Sequence, residues 1–475
     1  MVRAACPTAL ASKLAEIVGA EHVSADQREV GPHLDDITEH PAGSAELVVR
    51  PGCTDHVAAL LEAAHDLGVA VTPVIAGYNV AGIAIPHGGL VLDLRRLDGI
   101  EIDHDAMVVI VEPGVTFGQL KARLDADAPE LAYTYPFAPP FTSVMANALL
   151  DGLNNLSLPQ GAMGQWITGV EAVLADGTVV RTGSAAAVDS WFGRAPLPDL
   201  TGLFVSTQGT LGVVTRIGLK LVPKPACRLR WFAFAFDLES AHRAMVALAR
   251  TGSVDDVGCM TWPAAKFLFG ATRDLRRTED EPLAFLFVDL TGSCPEELAA
   301  REGLVRRLLA DSGVESVFEV ADLLKLMPHL AKLADLPTTL DFLLDFPGGG
   351  LAWVGSYGPP GPWIAGAAAG MATLERHGFP PFLVARPMDG GHFHVLRFVA
   401  CFDRGVPAEV ARVRACMAEL ADLVLDHGYV PYKASADAAT KIFARSHPGF
   451  VDLFGRVRDA LDPDRRMNPG RWPEG

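Results

Sequence analysis

The sequence predicts an α+β fold with room for two or three domains. Three observations carry this reading. The stretch from Glu46 to Asp103 runs strand, helix, strand, small-residue loop, strand. From Cys227 to about Asp403 strands alternate with helices, the pattern of an antiparallel sheet with helices on one face. The 475 residues suffice for more than one substantial core.

In order, residues 1–20 (MVRAACPTALASKLAEIVGA) lack a long apolar core. Lys13 and Glu16 interrupt them at helical spacing, so they read as a short amphipathic helix rather than a signal peptide. Glu46–Arg50 reads as a strand and Asp55–Leu67 as a helix. Val69 opens a strand that runs into the small-residue loop Ala76–Gly82, and Gly88–Asp103 alternates before ending in polar residues. Val108–Val111 is a strand closed by Pro113-Gly114, followed by a helical period through Phe117, Leu120 and Leu124. Gly169–Gly183 reads as a hairpin around Asp176-Gly177, a favoured two-residue turn. Gln208-Gly209-Thr210-Leu211-Gly212 then feeds the β-branched Val213, Val214 and Thr215. Glycine permits the positive φ and close backbone approach of a ligand-cradling turn, and the β-branched run reads as a buried strand.

In the middle, Trp231–Phe236 alternates as a strand, and Leu238–Thr251 is a helix with Ala241, Met245 and Leu248 on one face. Ala284–Leu290 is a strand leading to the helix Glu296–Leu309. Pro347–Pro362, rich in glycine and proline, reads as a loop at a domain edge. Val395–Phe402 is a strand, Pro407–His427 a long helix, and Val451–Leu461 a helix before an irregular tail.

A formal charge of −17 argues against nucleic acid, whose phosphates need clustered Lys and Arg. A local basic pocket is still compatible with it. The seven cysteines are scattered, odd in number and without a CxxC pair, which fits reduced thiols in a cytoplasmic protein. No apolar run reaches the length of a membrane span, Trp363–Leu374 being too short. No G-x-G-x-x-G follows a strand, which weighs against an NAD domain.

Five segments taken in order resemble one family. They are VVRP (48–51) with its helix, VEPGVT (111–116), GVEAVLADGTVVRTG (169–183), PDLTGLFVSTQGTLGVVT (198–215) and LDPDRRMNPGRW (461–472). Together they resemble the vanillyl-alcohol oxidase/p-cresol methylhydroxylase (PCMH) family of FAD-linked oxidoreductases, which also includes bacterial D-lactate and glycolate dehydrogenases. The resemblance implies a two-domain α+β flavoprotein. A PCMH-type FAD-binding domain would comprise residues 1–225 and the returning segment 431–475, with an antiparallel-sheet cap at 226–430.

The cofactor it implies is FAD. The loop residues Ala76, Gly77, Tyr78, Asn79 and Val80 would hold the pyrophosphate, since successive N–H groups in such a loop make a concave anion site. Thr142, Ser143, Ala146 and Asn147 would line the flavin and its phosphates. Val170, Glu171, Gly212, Val213 and Val214 would complete the adenine and ribose contacts, and Asn468 would touch flavin or phosphate. The chain departs from the family here: the family's loop is richer in glycine and often begins Arg-Gly, whereas Val74, Ile75, Val80 and Ala81 intrude. Bulk limits close approach to phosphate. The loop has no His or Cys for a covalent flavin link.

Tyr432-Lys433 is similar to the Tyr-Arg pair with which phenol-oxidising members hold a phenolate. Lys433 keeps the charge and loses the planar fork. A phenol beside it would ionise more readily, easing benzylic hydride loss; the other reading is that Tyr432 packs and Lys433 reaches water. On the alternating strand, His392 and His394 share a face. The Gly-Asp-Gly-Asn and Glu-His-Gly of metal-bearing lactate-type members are absent, so no metal is assigned. In phenol-oxidising members a His pair lies near this place beside the flavin ring, so the resemblance implies a base or hydrogen-bonding role for His394; the other reading makes His392 or His394 a satisfied core residue. Arg397, on the opposite face by strict alternation, is a candidate carboxylate binder or a surface residue.

The expected function is that of an FAD-dependent oxidase or dehydrogenase. A hydride passes from an alcohol or benzylic carbon, with a phenolic or aromatic alcohol favoured, to flavin N5. O2 or an electron-carrier protein is the acceptor. The alternatives are a D-2-hydroxy-acid dehydrogenase and a flavin-free companion subunit or non-redox descendant of the fold. The expected partners are small molecules, without nucleic acid or membrane, and a homodimer is compatible.

Overall fold

The computed structural model describes residues 7–78, 81–268, 274–326 and 348–473. The helix Pro7–Val18 buries Leu10, Leu14 and Val18, spaced four apart, in one core with the helix Thr54–Leu67. The strands Leu47–Val49, Leu90–Asp93 and Val71–Val74 pair in parallel. Thr54–Leu67 supplies the crossover that parallel strands require, ending at Gly68 in the left-handed region with φ 69°.

A second sheet is antiparallel. Its order is Ile100–Asp103, Val108–Val111, Val213–Lys220, Ile167–Val173, Val179–Arg181. The hairpin in it does not close with a two-residue turn. Leu174 N–H donates to Thr178 O, which leaves Ala175, Asp176 and Gly177 as a three-residue tip with Gly177 at φ 85°. A left-handed glycine in that place is the mark of the three-residue loop.

The remaining chain builds an eight-stranded sheet whose pairings are all antiparallel. In order its strands are Val317–Glu319, Cys227–Ala235, Ala284–Gly292, Asp256–Thr261, Phe382–Met388, Phe393–Asp403, Gly349–Gly358 and Val430–Pro431. The helices Leu238–Ala249, Pro295–Asp311, Trp363–Arg376 and Pro407–Asp426 share one core with one face of it. Alternation decides what goes there: Trp231, Ala233, Leu286, Val288, Leu396 and Phe398 enter that core.

The segment 347–362 corrects the loop reading. Gly349–Gly358 is a strand paired along its length with Phe393–Asp403. Its glycines mark close approach of rings rather than a turn. A Cβ at Gly355 would lie 2.7 Å from the Tyr432 ring, and one at Gly358 would lie 2.4 Å from that of Tyr429. The strands Asp256–Thr261 and Phe382–Met388 and the helix Ala436–Arg445 were also not evident from the sequence pattern.

The C-terminal tail lies beside the first sheet. Val71 N–H donates to Arg466 O, and Asn468 N–H donates back to Val71 O at 2.8 Å. Arg471 Nη1 donates to Gly82 O at 2.7 Å, pinning the end of the small-residue loop. Among the described residues no helix is long and apolar enough to cross a membrane.

Candidate active site

A cavity of about 470 Å³ is lined by residues of the two smaller sheets and their loops on one side. On the other it is lined by the face of the eight-stranded sheet that those four helices leave open. Small-molecule sites usually measure about 300–1,000 Å³.

The first wall is largely main chain and small side chains. Ala76, Gly77, Tyr78, Thr142, Ser143, Ala146, Asn147, Gly212, Val213, Val214 and Asn468 all line it. The N–H groups of Ala76, Gly77, Tyr78, Gln208 and Gly209 donate to no acceptor among the described residues. The turn is held in this shape by unusual backbone. Gln208 has φ 56°, Gly209 has φ 75°, and a Cβ on Gly209 would lie 2.9 Å from the Pro73 ring. Asn468 Nδ2 braces it by donating to Gln208 O at 2.6 Å. Ser143 Oγ donates to Pro113 O at 2.8 Å and caps the helix Val144–Leu149 through Ala146 N–H. Two runs of N–H donors without an acceptor among the described residues, on residues that line one cavity, are the chemistry a diphosphate needs, so the residues present fit FAD. Of the intruding residues, Val74 packs into the core with Val30, Val48 and Val91, whereas Ile75 and Ala81 line the cavity and Val80 lies outside the described residues. Tyr78 contributes a ring edge-on to Phe141 at 5.6 Å, and burial pushes its phenol up to about 12, so it stays neutral.

Two expected contacts are corrected. Val170 lies in the core, and Glu171 accepts from Thr54 Oγ1 at 3.0 Å and Arg181 Nε at 2.8 Å. Neither lines the cavity. Their strand, Ile167–Val173, is flanked on both edges and buried throughout, which leaves no face for a ligand. Asn79 and Val80 lie outside the described residues.

The second wall is side chains. Phe232, Phe285, Phe287, Phe382 and Met260 form an aromatic and apolar cage. Beside it are ion pairs that the sequence reading missed. Arg228 Nε donates to Asp289 Oδ1 at 2.8 Å. Arg228 and Arg230 also donate to Tyr135 Oη at 3.1 and 2.9 Å. Arg386 pairs with Asp256 and donates to Asn154 O at 2.9 Å. Burial pushes the Asp256 carboxyl up to about 6 against the pull of Arg386. One signal was available: in Cys227–Ala235 alternation puts Arg228 and Arg230 on the same face as Phe232.

Lys433 and Arg397 stand where the two walls meet. Lys433 has φ 49°, a backbone strain of roughly 1–3 kcal/mol, and its Nζ donates to Asn147 Oδ1 at 2.9 Å. Desolvation, then the Arg397 charge, lower its pKa to about 7, with Asp151 opposing. Tyr432 is placed differently from expectation. It does not line the cavity; its ring stacks on Tyr357 at 4.3 Å, and its hydroxyl accepts from Arg397 Nη2. Burial raises its pKa, with Arg397 opposing. Tyr432 therefore holds Arg397, whose guanidinium also lies 4.1 Å over the Trp353 ring.

His394 is corrected as well. Strand Phe393–Asp403 keeps strict alternation, so Arg397 and Val399 face the cavity while His394, Leu396 and Phe398 are fully buried and do not line it. The His394 ring lies 5.6 Å from that of His242, and neither of its nitrogens has a hydrogen-bond partner among the described residues. Burial first, then His242, depress its pKa to about 3. It is a neutral core residue. His392 precedes the strand in helical conformation and is exposed.

Comparisons with known proteins agree with this geometry. Residues 45–183 match the family described as FAD binding domain. Glycolate oxidase subunit GlcD of Bacillus subtilis (strain 168) is 33% identical over 219 residues, or 44% of this chain. The chain spans less than half of that relative, 44% of its length. The flavoprotein subunit of 4-cresol dehydrogenase [hydroxylating] from Pseudomonas putida is 24% identical over 499 residues, covering 97% of this chain and 94% of the relative. The crystal structure of p-cresol methylhydroxylase with substrate bound superposes with a TM-score of 0.87 at 20% identity, covering 98% and 96% of the two chains.

Proposed function

We propose that this chain, a flavoprotein with an FAD binding domain on the fold of p-cresol methylhydroxylase, oxidises an aromatic substrate at an alcohol or benzylic carbon. The supporting observation is one cavity with two unlike walls: free main-chain donors on one, an aromatic cage with Arg397 and Lys433 on the other. When bound, FAD supplies a hydride acceptor at its N5. Ala76–Tyr78, Gln208, Gly209, Thr142, Ser143, Ala146, Asn147 and Asn468 would hold it.

The cage takes the aromatic ring, at roughly 25 cal/mol for each Å² of apolar surface buried. It also keeps water from the reacting carbon. Arg397 and Lys433 hold negative charge at its edge. With a pKa of about 7, Lys433 Nζ can hold or release a proton near neutrality. A small hydroxy acid would leave the cage unfilled. The same reading makes O2 or an electron-carrier protein the acceptor. It divides the chain into FAD-binding segments 1–225 and 431–475 around a cap at 226–430.

The test is anaerobic. The protein as isolated should keep absorbance near about 450 nm through dialysis, the flavin band. An aromatic alcohol such as 4-hydroxybenzyl alcohol should bleach it much faster than lactate or glycolate. Bleaching by lactate alone would reject the aromatic reading.

A further inference from the structure

Four arginines sit on the cavity side of the eight-stranded sheet, and three of them have a carboxylate partner. Arg228 and Arg230 share Asp289, and Arg386 has Asp256. Arg397 has no carboxylate oxygen within 4.0 Å among the described residues. Its neighbours are a tyrosine hydroxyl, the Trp353 ring and a second cation, Lys433, whose pKa it lowers. In a chain of net charge −17 this is a pair of neighbouring cations, with Asp151 acting on Lys433 and no carboxylate in contact with Arg397 among the described residues. A guanidinium with one Nη on a tyrosine still offers N–H donors to a planar anion.

The register says what the rest of such an anion looks like. Arg397 pairs with Val384, Val384 with Met260, and Met260 with Phe285. All four line the cavity. They make one row across four adjacent strands, roughly 14 Å long at the usual strand spacing. The row begins at the unpaired charge and continues over apolar side chains to a ring. We propose that the substrate is an aromatic carboxylate, its carboxylate on Arg397 and its ring over Val384, Met260 and Phe285. The inference rests on the aromatic-substrate reading above and narrows it. Tyr432 is then a positioning residue, since it fixes Arg397 without reaching the cavity.

The experiment uses the flavin-loaded protein and isothermal titration calorimetry with two probes of equal shape, phenylacetate and its uncharged amide. Wild type should bind phenylacetate about tenfold or more tightly than phenylacetamide, as expected for a charge-assisted pair. Arg397→Met should abolish that preference while phenylacetamide affinity and flavin content stay within about twofold, which also shows that the variant folds. Arg397→Lys should keep part of the preference. Equal affinity for both probes in wild type, or a preference that survives in Arg397→Met, overturns the carboxylate assignment and leaves the aromatic reading standing. Failure of both probes to bind overturns both.

Discussion

The two walls of the cavity solve different recognition problems. The wall around Ala76–Tyr78 and Gln208–Gly209 offers main-chain N–H groups that have no acceptor among the described residues, beside the Tyr78 ring and small side chains. The wall on the eight-stranded sheet works with side chains: phenylalanines, two ion-paired sets and one unpaired guanidinium. Main-chain donors suit a ligand that never varies, because no substitution other than proline removes them. Side chains suit a substrate, because each can be exchanged without disturbing the strand beneath. Loss of glycine from the small-residue loop is thus tolerable so long as the φ values and the free N–H groups survive.

Substitutions can break this contrast, starting with the largest effect. Asp256→Ala strands the buried Arg386 charge and should cost about 3–5 kcal/mol in denaturant unfolding. Replacing both partners, Asp256→Leu with Arg386→Met, should restore most of it, with flavin content unaffected. Lys433→Met should lower kcat/KM roughly 100-fold, the scale of one lost electrostatic contact at a reacting centre. If its cation carries that effect, wild-type kcat/KM falls as pH rises through about 7 and the variant's profile is flat there. Stability moves the other way. The folded protein binds this proton less tightly than the unfolded chain, so stability rises with pH between about 7 and the ordinary lysine value of 10.5, an increase the variant lacks.

On the main-chain wall, Gly209→Val forces a branched residue into φ 75° against Pro73. It should lower flavin retention about tenfold, read from the visible-to-ultraviolet absorbance ratio after dialysis. Tyr432→Phe loosens Arg397 and should reduce kcat/KM only about three- to tenfold, mostly through KM. His394→Leu should leave kcat/KM within about twofold and hold or raise the melting temperature. It removes two buried nitrogens that have no partner. A large loss of activity there would return His394 to the site.

Much of the fold was legible because periodicity is local. The helices Thr54–Leu67 and Pro407–Asp426 and the strands Val108–Val111 and Cys227–Ala235 each announce a buried face within one window. The strand Gly349–Gly358 was not legible, because its glycines answer to Tyr429 and Tyr432, more than seventy residues away. The site followed the same rule. Alternation in Phe393–Asp403 correctly separated His394 from Arg397, but the strand alone does not say which face meets a ligand.

What the residue order determined by itself was most of the elements, their α+β type, and the glycine turn from which free N–H groups could arise, since these depend on neighbours a few positions apart. Which face of the eight-stranded sheet looks onto the cavity, which arginine lacks a carboxylate among the described residues, and that Tyr432 supports rather than touches were decided only in three dimensions. Charge pairing and burial are properties of distance in space, and the partners that neutralise Arg228 and Arg386 lie 61 and 130 positions away along the chain.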